Sequence, residues 1–88
     1  MMKYILTEQA RINIRKRGVS IQMLEDVLES PQQIVDGDGH LMVFQSKKVW
    51  ENGKVFLVRL VVDCQKDYLK VVTVYRAEKI DRYWRKDQ

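Results

Sequence analysis

The residues of this chain best suited to chemistry are basic and aromatic side chains close to its C-terminus. Guanidinium and ammonium groups bind phosphate, and aromatic rings stack on nucleobases. The mixture favours a nucleic-acid surface, and it consists of Arg76, Lys79, Arg82, Arg85 and Lys86 beside Tyr75, Tyr83 and Trp84. The alternative is structural, because Tyr83 and Trp84 at helical spacing would anchor a terminal helix to the core.

Other kinds of site are disfavoured by what the sequence lacks. His40 is the only histidine and Cys64 the only cysteine, so we expect no metal site, no cofactor and no mechanism that needs two histidines. The Asp-Gly-Asp-Gly stretch at 36–39 lacks the later ligands of a calcium loop and is typical of a turn. The sequence also contains no glycine-rich phosphate loop and no nucleophile motif.

Charge is distributed unevenly along the chain, whose formal net charge is +4. Residues 1–18 and 47–88 are rich in lysine and arginine, whereas residues 19–46 contain neither and carry five acidic side chains. If the two basic ends fold onto one side, they form a positive face suited to phosphate. Such a face would also suit an acidic small molecule or an acidic partner protein, or would simply keep the surface solvated.

Length and composition predict a single domain over residues 1–88. No apolar run approaches the ~18 residues of a membrane-spanning helix, and the first residues do not have the pattern of a signal peptide. With one cysteine there is no internal disulfide. We therefore expect a cytoplasmic protein without a membrane partner.

Two helices should position the N-terminal part of the chain. Thr7 is a good N-cap for a helix over residues 8–17, which Gly18 would end. Ser20 caps a second helix that the Ser30–Pro31 step stops. Its apolar face is formed by Leu24, Val27 and Leu28. Before these helices, residues 4–6 form either a short strand or an apolar lead-in.

Period-two patterning then predicts four strands, at 33–36, 40–49, 54–63 and 68–76. Asn52-Gly53 indicates a type I′ hairpin. The end of the chain, residues 77–86, is predicted to be a helix with Ala77, Ile80 and Trp84 on one face. The predicted order is α-α-β-β-β-β-α. The expected fold class is thus α+β, with two N-terminal helices, a four-stranded antiparallel meander and a C-terminal helix.

The third predicted strand has two distinct faces. The fully apolar face should meet the helices, and it consists of Phe56, Val58, Leu60 and Val62. Arg59 is then expected on the open face, because an unpaired buried cation is costly. Arg76 ends the next strand, so we expect Arg59 and Arg76 to reach one groove.

Several segments together resemble the small bacterial domains of domain-of-unknown-function family 4258. The segments are residues 6–10, 15–20, 24–31 and 71–76, followed by Lys79 and Tyr83-Trp84. That family is similar to the RelE-like and BrnT-like toxins, so the resemblance implies a RelE-like fold. It also implies a toxin of a type II toxin–antitoxin module, a metal-independent RNA endonuclease that acts on RNA such as ribosome-bound mRNA and is inhibited by a cognate antitoxin. The alternative is a non-catalytic RNA- or protein-binding module on the same fold.

The resemblance also suggests which residues act. The family pattern usually has a histidine and an arginine at positions that here are Gln9 and Asn13, whereas Arg17, Tyr75, Arg76 and Lys79 match the pattern. Clustered basic residues with a tyrosine would stabilise the phosphate charge during cleavage. The predicted catalytic set is Arg59, Arg76, Lys79, Tyr75 and Tyr83. The predicted RNA-binding set is Arg17, Lys70 and Arg82.

Overall fold

A computed structural model describes residues 3–87 of the chain. Its elements follow one another in the order β1 (Tyr4–Leu6), α1 (Glu8–Arg17), α2 (Ile21–Glu29), β2 (Gln33–Asp36), β3 (Leu41–Val49), β4 (Val55–Asp63), β5 (Leu69–Ala77) and a single 3₁₀ turn (Ile80–Arg82). The two predicted N-terminal helices and all four predicted strands are present, with ends that shift by one residue or so. The α+β class is therefore right, but the detailed architecture differs from the prediction in two ways.

The first difference is in the sheet, which is mixed and has five strands rather than four antiparallel ones. Its order is β1-β5-β4-β3-β2, and β1 runs parallel to β5 while every other pair is antiparallel. Two backbone hydrogen bonds flank this parallel pair, from Leu69 N to Lys3 O at 3.0 Å and from Thr7 N to Val71 O at 3.1 Å. Three residues of the N-terminal lead-in thus become an edge strand, because β5 offers them a free edge.

The second difference is at the C-terminus, where the predicted helix over 77–86 does not form. Ala77 is the last residue of β5 and is paired with Leu57 of β4. Within this segment only Ile80–Arg82 have helical structure, as a single 3₁₀ turn. The backbone beyond it is bound by side chains of the sheet instead, so a pattern with helical spacing becomes an irregular segment docked on a neighbouring surface.

Both helices are N-capped by the predicted residues. The Thr7 hydroxyl accepts a hydrogen bond from Ala10 N at 3.1 Å, and the Ser20 hydroxyl accepts one from Met23 N at 3.0 Å. Gly18 ends α1 with φ of 66°, a left-handed conformation that glycine adopts without strain. The chain can therefore turn at once into α2.

The core lies between the two helices and one face of the sheet. Its fully buried centre consists of Ala10, Leu24, Val27, Val58, Leu60, Val62, Val71 and Val74. The predicted inward face of β4 is confirmed, since Phe56 is also buried. Leu57 on the other face is fully buried as well, so neither face of β4 is open to solvent there.

The β3–β4 hairpin does not have the predicted type I′ turn. That turn needs positive φ at both central residues, and here Gly53 has φ of 83° while Asn52 does not have positive φ. The loop is closed by hydrogen bonds from Gly53 N to Trp50 O at 2.9 Å and from Trp50 N to Lys54 O at 2.8 Å. This three-residue loop brings Trp50 and Lys54 to the end of the sheet that faces the C-terminus of α1.

Candidate nucleic-acid interface

A basic groove lies where the C-terminus of α1, the β3–β4 hairpin and the end of β5 meet. Its volume is about 520 Å³, in the range of ordinary ligand sites. The groove is lined by Lys16, Arg17, Asn52, Lys54, Phe56, Arg76 and Glu78. Four basic side chains thus converge on it against one carboxylate. We call this surface the basic groove.

Arg76 is the best-positioned cation of the basic groove. Its guanidinium lies 4.3 Å from the ring centre of Phe56 and 4.8 Å from that of Trp50, and both are cation–π contacts. The two rings meet edge to face at 5.1 Å. No hydrogen bond or ion pair to residues 3–87 engages the guanidinium nitrogens of Arg76. The aromatic pair therefore fixes the side chain and leaves its N–H donors available to an anion.

The other side chains of the basic groove differ in how they are engaged. Lys54 donates to Glu78, and this bond and the charge of Lys54 hold the pKa of Glu78 below its usual value. Glu78 is therefore ionised at neutral pH and offsets Lys54. Lys16 and Arg17 are exposed at the C-terminus of α1, where the helix dipole favours cations. Within the described part of the chain they form no ion pair.

The second predicted cation, Arg59, lies on the opposite side of the sheet. In the β4–β5 register Arg59 is opposite Tyr75, whereas Arg76 is opposite Val58, a residue of the core face. Neighbouring residues of a strand point to opposite faces. The expected single groove shared by Arg59 and Arg76 therefore does not form. The sequence pattern gave each residue's strand, but only the register assigned Arg76 to the helix side.

Arg59 is also not on an open face, since only 8% of it is exposed. Its Nε donates to Gln45 Oε1 at 2.8 Å and its Nη1 donates to the Tyr75 hydroxyl. The ring of Tyr83 lies 4.2 Å from the guanidinium, and Tyr75 and Tyr83 meet edge to face. Three of the five predicted catalytic residues are thus brought together, with Arg59 buried and both tyrosines half-buried.

The C-terminal segment covers this cluster. Gln33 of β2 binds both backbone polar groups of one residue, donating to Arg85 O at 2.5 Å and accepting from Arg85 N at 3.0 Å. Gln45 of β3 donates to Tyr83 O at 3.1 Å and to Gln33 Oε1 at 2.8 Å. These bonds hold residues 83–85 on the sheet, and they explain why the segment is not helical.

The remaining predicted residues are dispersed. Lys79 is exposed just before the 3₁₀ turn, and Arg82 is exposed at its end. Lys70 is exposed near the start of β5, opposite Asp63. Of the predicted RNA-binding residues, Arg17 alone lines the basic groove. Asn13 is buried, and its Oδ1 accepts from Val74 N at 3.2 Å. Asn13 therefore helps to attach α1 to β5.

Sequence reasoning missed three residues that line the basic groove, Lys16, Lys54 and Phe56, and also missed Trp50, which packs against Arg76. Lys16 and Lys54 were counted only as charge, and Trp50 and Phe56 were not considered for binding. A signal was available, because Trp50 and Phe56 flank the Asn52-Gly53 hairpin on either side. Phe56 is two residues beyond Lys54, which pairs with Trp50, and aromatic side chains can reach such diagonal neighbours across a hairpin.

Comparison with known proteins finds no protein-family model, no curated protein and no solved structure that matches this chain. The family resemblance of the sequence therefore has no support from these comparisons. Among the described residues, no helix is long and apolar enough to span a membrane.

Proposed function

We propose that this protein binds single-stranded RNA through the basic groove. The observation that carries the proposal is Arg76, whose guanidinium packs against the rings of Phe56 and Trp50 and whose donors are not engaged by residues 3–87. A guanidinium that is already ordered loses little side-chain entropy when it binds a phosphate. Lys16 and Arg17 extend the positive charge along the same surface, so that more than one phosphate of a strand could be neutralised.

The choice of RNA rather than DNA comes from the resemblance to RelE-like toxins, since the groove itself selects only for phosphate. The same resemblance leads us to propose that the protein is a cytoplasmic toxin that cleaves the bound RNA and is inhibited by an acidic antitoxin. In such a reaction the 2′-hydroxyl loses its proton to solvent and its oxygen attacks phosphorus, and negative charge builds up on the phosphate. The bond between phosphorus and the 5′-oxygen breaks, and that oxygen takes up a proton, so that a 2′,3′-cyclic phosphate and a 5′-hydroxyl end are formed. Arg76 is suited to stabilise that charge, whereas Glu78, whose pKa is low, is a weak base.

The experiment measures binding of a fluorescent single-stranded RNA by anisotropy at several salt concentrations. Each phosphate contact contributes about −0.7 to the slope of log K against log salt for a single strand. Lys16, Arg17 and Arg76 form no ion pair within residues 3–87, so three cations predict a slope of about −2. Arg76→Ala should reduce the slope to about −1.4 and weaken binding. Arg76→Lys keeps the positive charge and should keep most of the slope, although lysine lacks the planar fork of donors that arginine has.

Lys66→Ala is the matched control, because it removes the same charge from the opposite end of the sheet. Lys66 lies in the β4–β5 turn, about 30 Å along β4 from the hairpin that forms the basic groove. An equal loss of RNA affinity in Lys66→Ala and Arg76→Ala would mean that net charge, not the groove, attracts RNA. A DNA strand of the same sequence tests the preference for RNA.

Cleavage of the bound RNA, together with growth arrest on expression, separates a toxin from a binding module. If Arg76 stabilises the transition state, Arg76→Ala should slow cleavage by about two to three orders of magnitude. If Tyr75→Phe abolishes cleavage and Arg76→Ala does not, the reaction belongs to the buried Arg59 cluster instead. Binding without cleavage or growth arrest would refute the toxin part of the proposal and leave the RNA-binding part intact.

A further inference from the structure

Arg59 presents a buried positive charge without a negative partner. The side chain is 8% exposed, and no ion pair to residues 3–87 involves it. Its hydrogen-bond partners are the neutral side chains of Gln45 and Tyr75. Burial of a cation is costly unless it is compensated, and the cation–π contact with Tyr83 offsets only part of that cost. The site therefore has the electrostatics of a receptor for an anion.

Two donors of this cluster remain available. Nε and Nη1 of Arg59 are engaged, whereas Nη2 makes no hydrogen bond within the described residues. The Tyr75 hydroxyl accepts from Arg59, so its own proton is free to be donated. Arg59 Nη2 and the Tyr75 hydroxyl together offer two hydrogen bonds, which is the number that the two oxygens of a carboxylate require.

These donors lie at one end of an open pocket of about 320 Å³. Val43 and Val61, which face each other across β3 and β4, form an apolar floor beyond Arg59. The far end is formed by the turn at 36–38, which carries the exposed acidic residues Asp36 and Asp38. We call this site the Arg59 pocket, and it is positive at its buried end, apolar in the middle and acidic at its rim.

The length of the Arg59 pocket follows from the strand register. Leu41, which also lines the pocket, is opposite Asp63, four residues along β4 from Arg59. At about 3.3 Å per residue this is roughly 13 Å. Leu41 N donates to Asp38 O at 3.1 Å, which fixes the acidic turn at that end. A ligand with opposite charges separated by a short extended aliphatic chain would match both ends.

We propose that the Arg59 pocket binds a small zwitterion, an aliphatic compound with a carboxylate at one end and an ammonium group at the other. The carboxylate accepts hydrogen bonds from Arg59 and Tyr75, the chain lies on the valines, and the ammonium group meets the carboxylates of the 36–38 turn. The acidic rim disfavours an RNA backbone, whose repeated negative charges would face Asp36 and Asp38. This site is on the opposite side of the sheet from the basic groove, and the inference does not depend on RNA binding.

The test is an NMR titration of the full-length ¹⁵N-labelled protein with three matched probes, namely 6-aminohexanoate, hexanoate and hexylamine. We expect saturable shifts from 6-aminohexanoate at the Arg59 Nε–H signal and at the backbone amides of Val43 and Val61. Hexanoate should bind severalfold more weakly, and hexylamine more weakly still. Equal affinity for hexanoate and 6-aminohexanoate would overturn the zwitterion proposal, as would the absence of saturable shifts with all three probes.

Two variants separate the ends of the pocket without removing the buried cation. Tyr75→Phe keeps the ring and removes the hydroxyl, and it should weaken binding of 6-aminohexanoate and hexanoate about tenfold. Asp38 lies in an exposed turn. Asp38→Asn should weaken the binding of 6-aminohexanoate and leave the binding of hexanoate unchanged. Arg76→Ala, in the basic groove, is the control and should bind all three probes as the wild type does. Loss of binding in Arg76→Ala, or unchanged binding in Tyr75→Phe, would contradict the assignment.

Discussion

Replacing Gln45 with leucine tests whether the polar row beneath the C-terminal segment holds this side of the protein together. Gln45 is fully buried, and its side chain makes three hydrogen bonds. It accepts from Arg59 Nε and donates to Gln33 Oε1 and to Tyr83 O. Leucine has a similar size and makes none of these bonds. The substitution therefore removes polar contacts with little change in volume.

The expected cost follows from the groups that are left without partners. Gln33 Oε1 keeps its bond from Arg85 N, but Arg59 Nε and Tyr83 O lose theirs. An unsatisfied buried polar group costs about 1–3 kcal/mol, and a charged one costs more. The two groups together predict a loss of about 3–5 kcal/mol in the free energy of unfolding. For a domain of this size that is a large part of a total of roughly 4–13 kcal/mol.

Urea denaturation measures this loss directly, and the midpoint should move to much lower urea at an unchanged m-value. In thermal unfolding about 1 kcal/mol corresponds to roughly 4–8 °C for a domain of this length, so Tm should fall by at least about 12 °C. Trypsin should also cut faster after Arg82 and Arg85, because the segment that carries them is no longer held by Gln45. Gln22→Leu is the control, since Gln22 is exposed on α2 with a single weak contact of 3.5 Å to Asp26.

A change in stability of less than about 1 kcal/mol in Gln45→Leu would refute this reasoning. It would mean that the bonds between the glutamines and the C-terminal segment are not formed in solution. An increase in trypsin cleavage without any loss of global stability would mean that the segment undocks as an independent unit.

Three further predictions concern the basic groove, the α1 terminus and the β4–β5 turn. Glu78→Gln removes the carboxylate that engages Lys54, so RNA affinity measured by anisotropy should rise severalfold. Gly18→Ala places a side chain at φ of 66° and should cost about 1–2 kcal/mol in urea denaturation. The ionised Asp63 accepts a hydrogen bond from Gln65 N, which lowers the pKa of Asp63. The free energy of unfolding should therefore decrease when the pH is lowered below about 4, and Asp63→Asn should reduce this pH dependence in thermal melts.

The local elements of this fold could be predicted from the sequence because their signals are local. Thr7 and Ser20 as N-caps, Gly18 as a helix end and the Pro31 stop each act within one turn of chain. The apolar face of β4 from Phe56 to Val62 follows from period-two alternation alone. These features depend on backbone geometry and burial preference, and both are encoded within a few residues.

The C-terminal segment and β1 depended on distant partners, and this is why the architecture was predicted incorrectly. Residues 77–86 have helical spacing, but Gln33 and Gln45, about fifty and forty residues earlier, bind their backbone. Residues 4–6 are too few to signal a strand, and they become one because β5 leaves an edge unpaired. Such competition for hydrogen bonds is settled only when the chain is folded.

By itself the sequence determined that this is a basic α+β domain whose candidate functional residues are arginine, lysine and tyrosine. The tertiary structure decided how those residues are divided between two sites. The register of β4 against β5 directs Arg76 to the helix side and Arg59 to the other, and a shift by one residue would exchange them. The sheet therefore separates an exposed basic groove from a buried cation, because alternation along a strand is local but its pairing with the next strand is not.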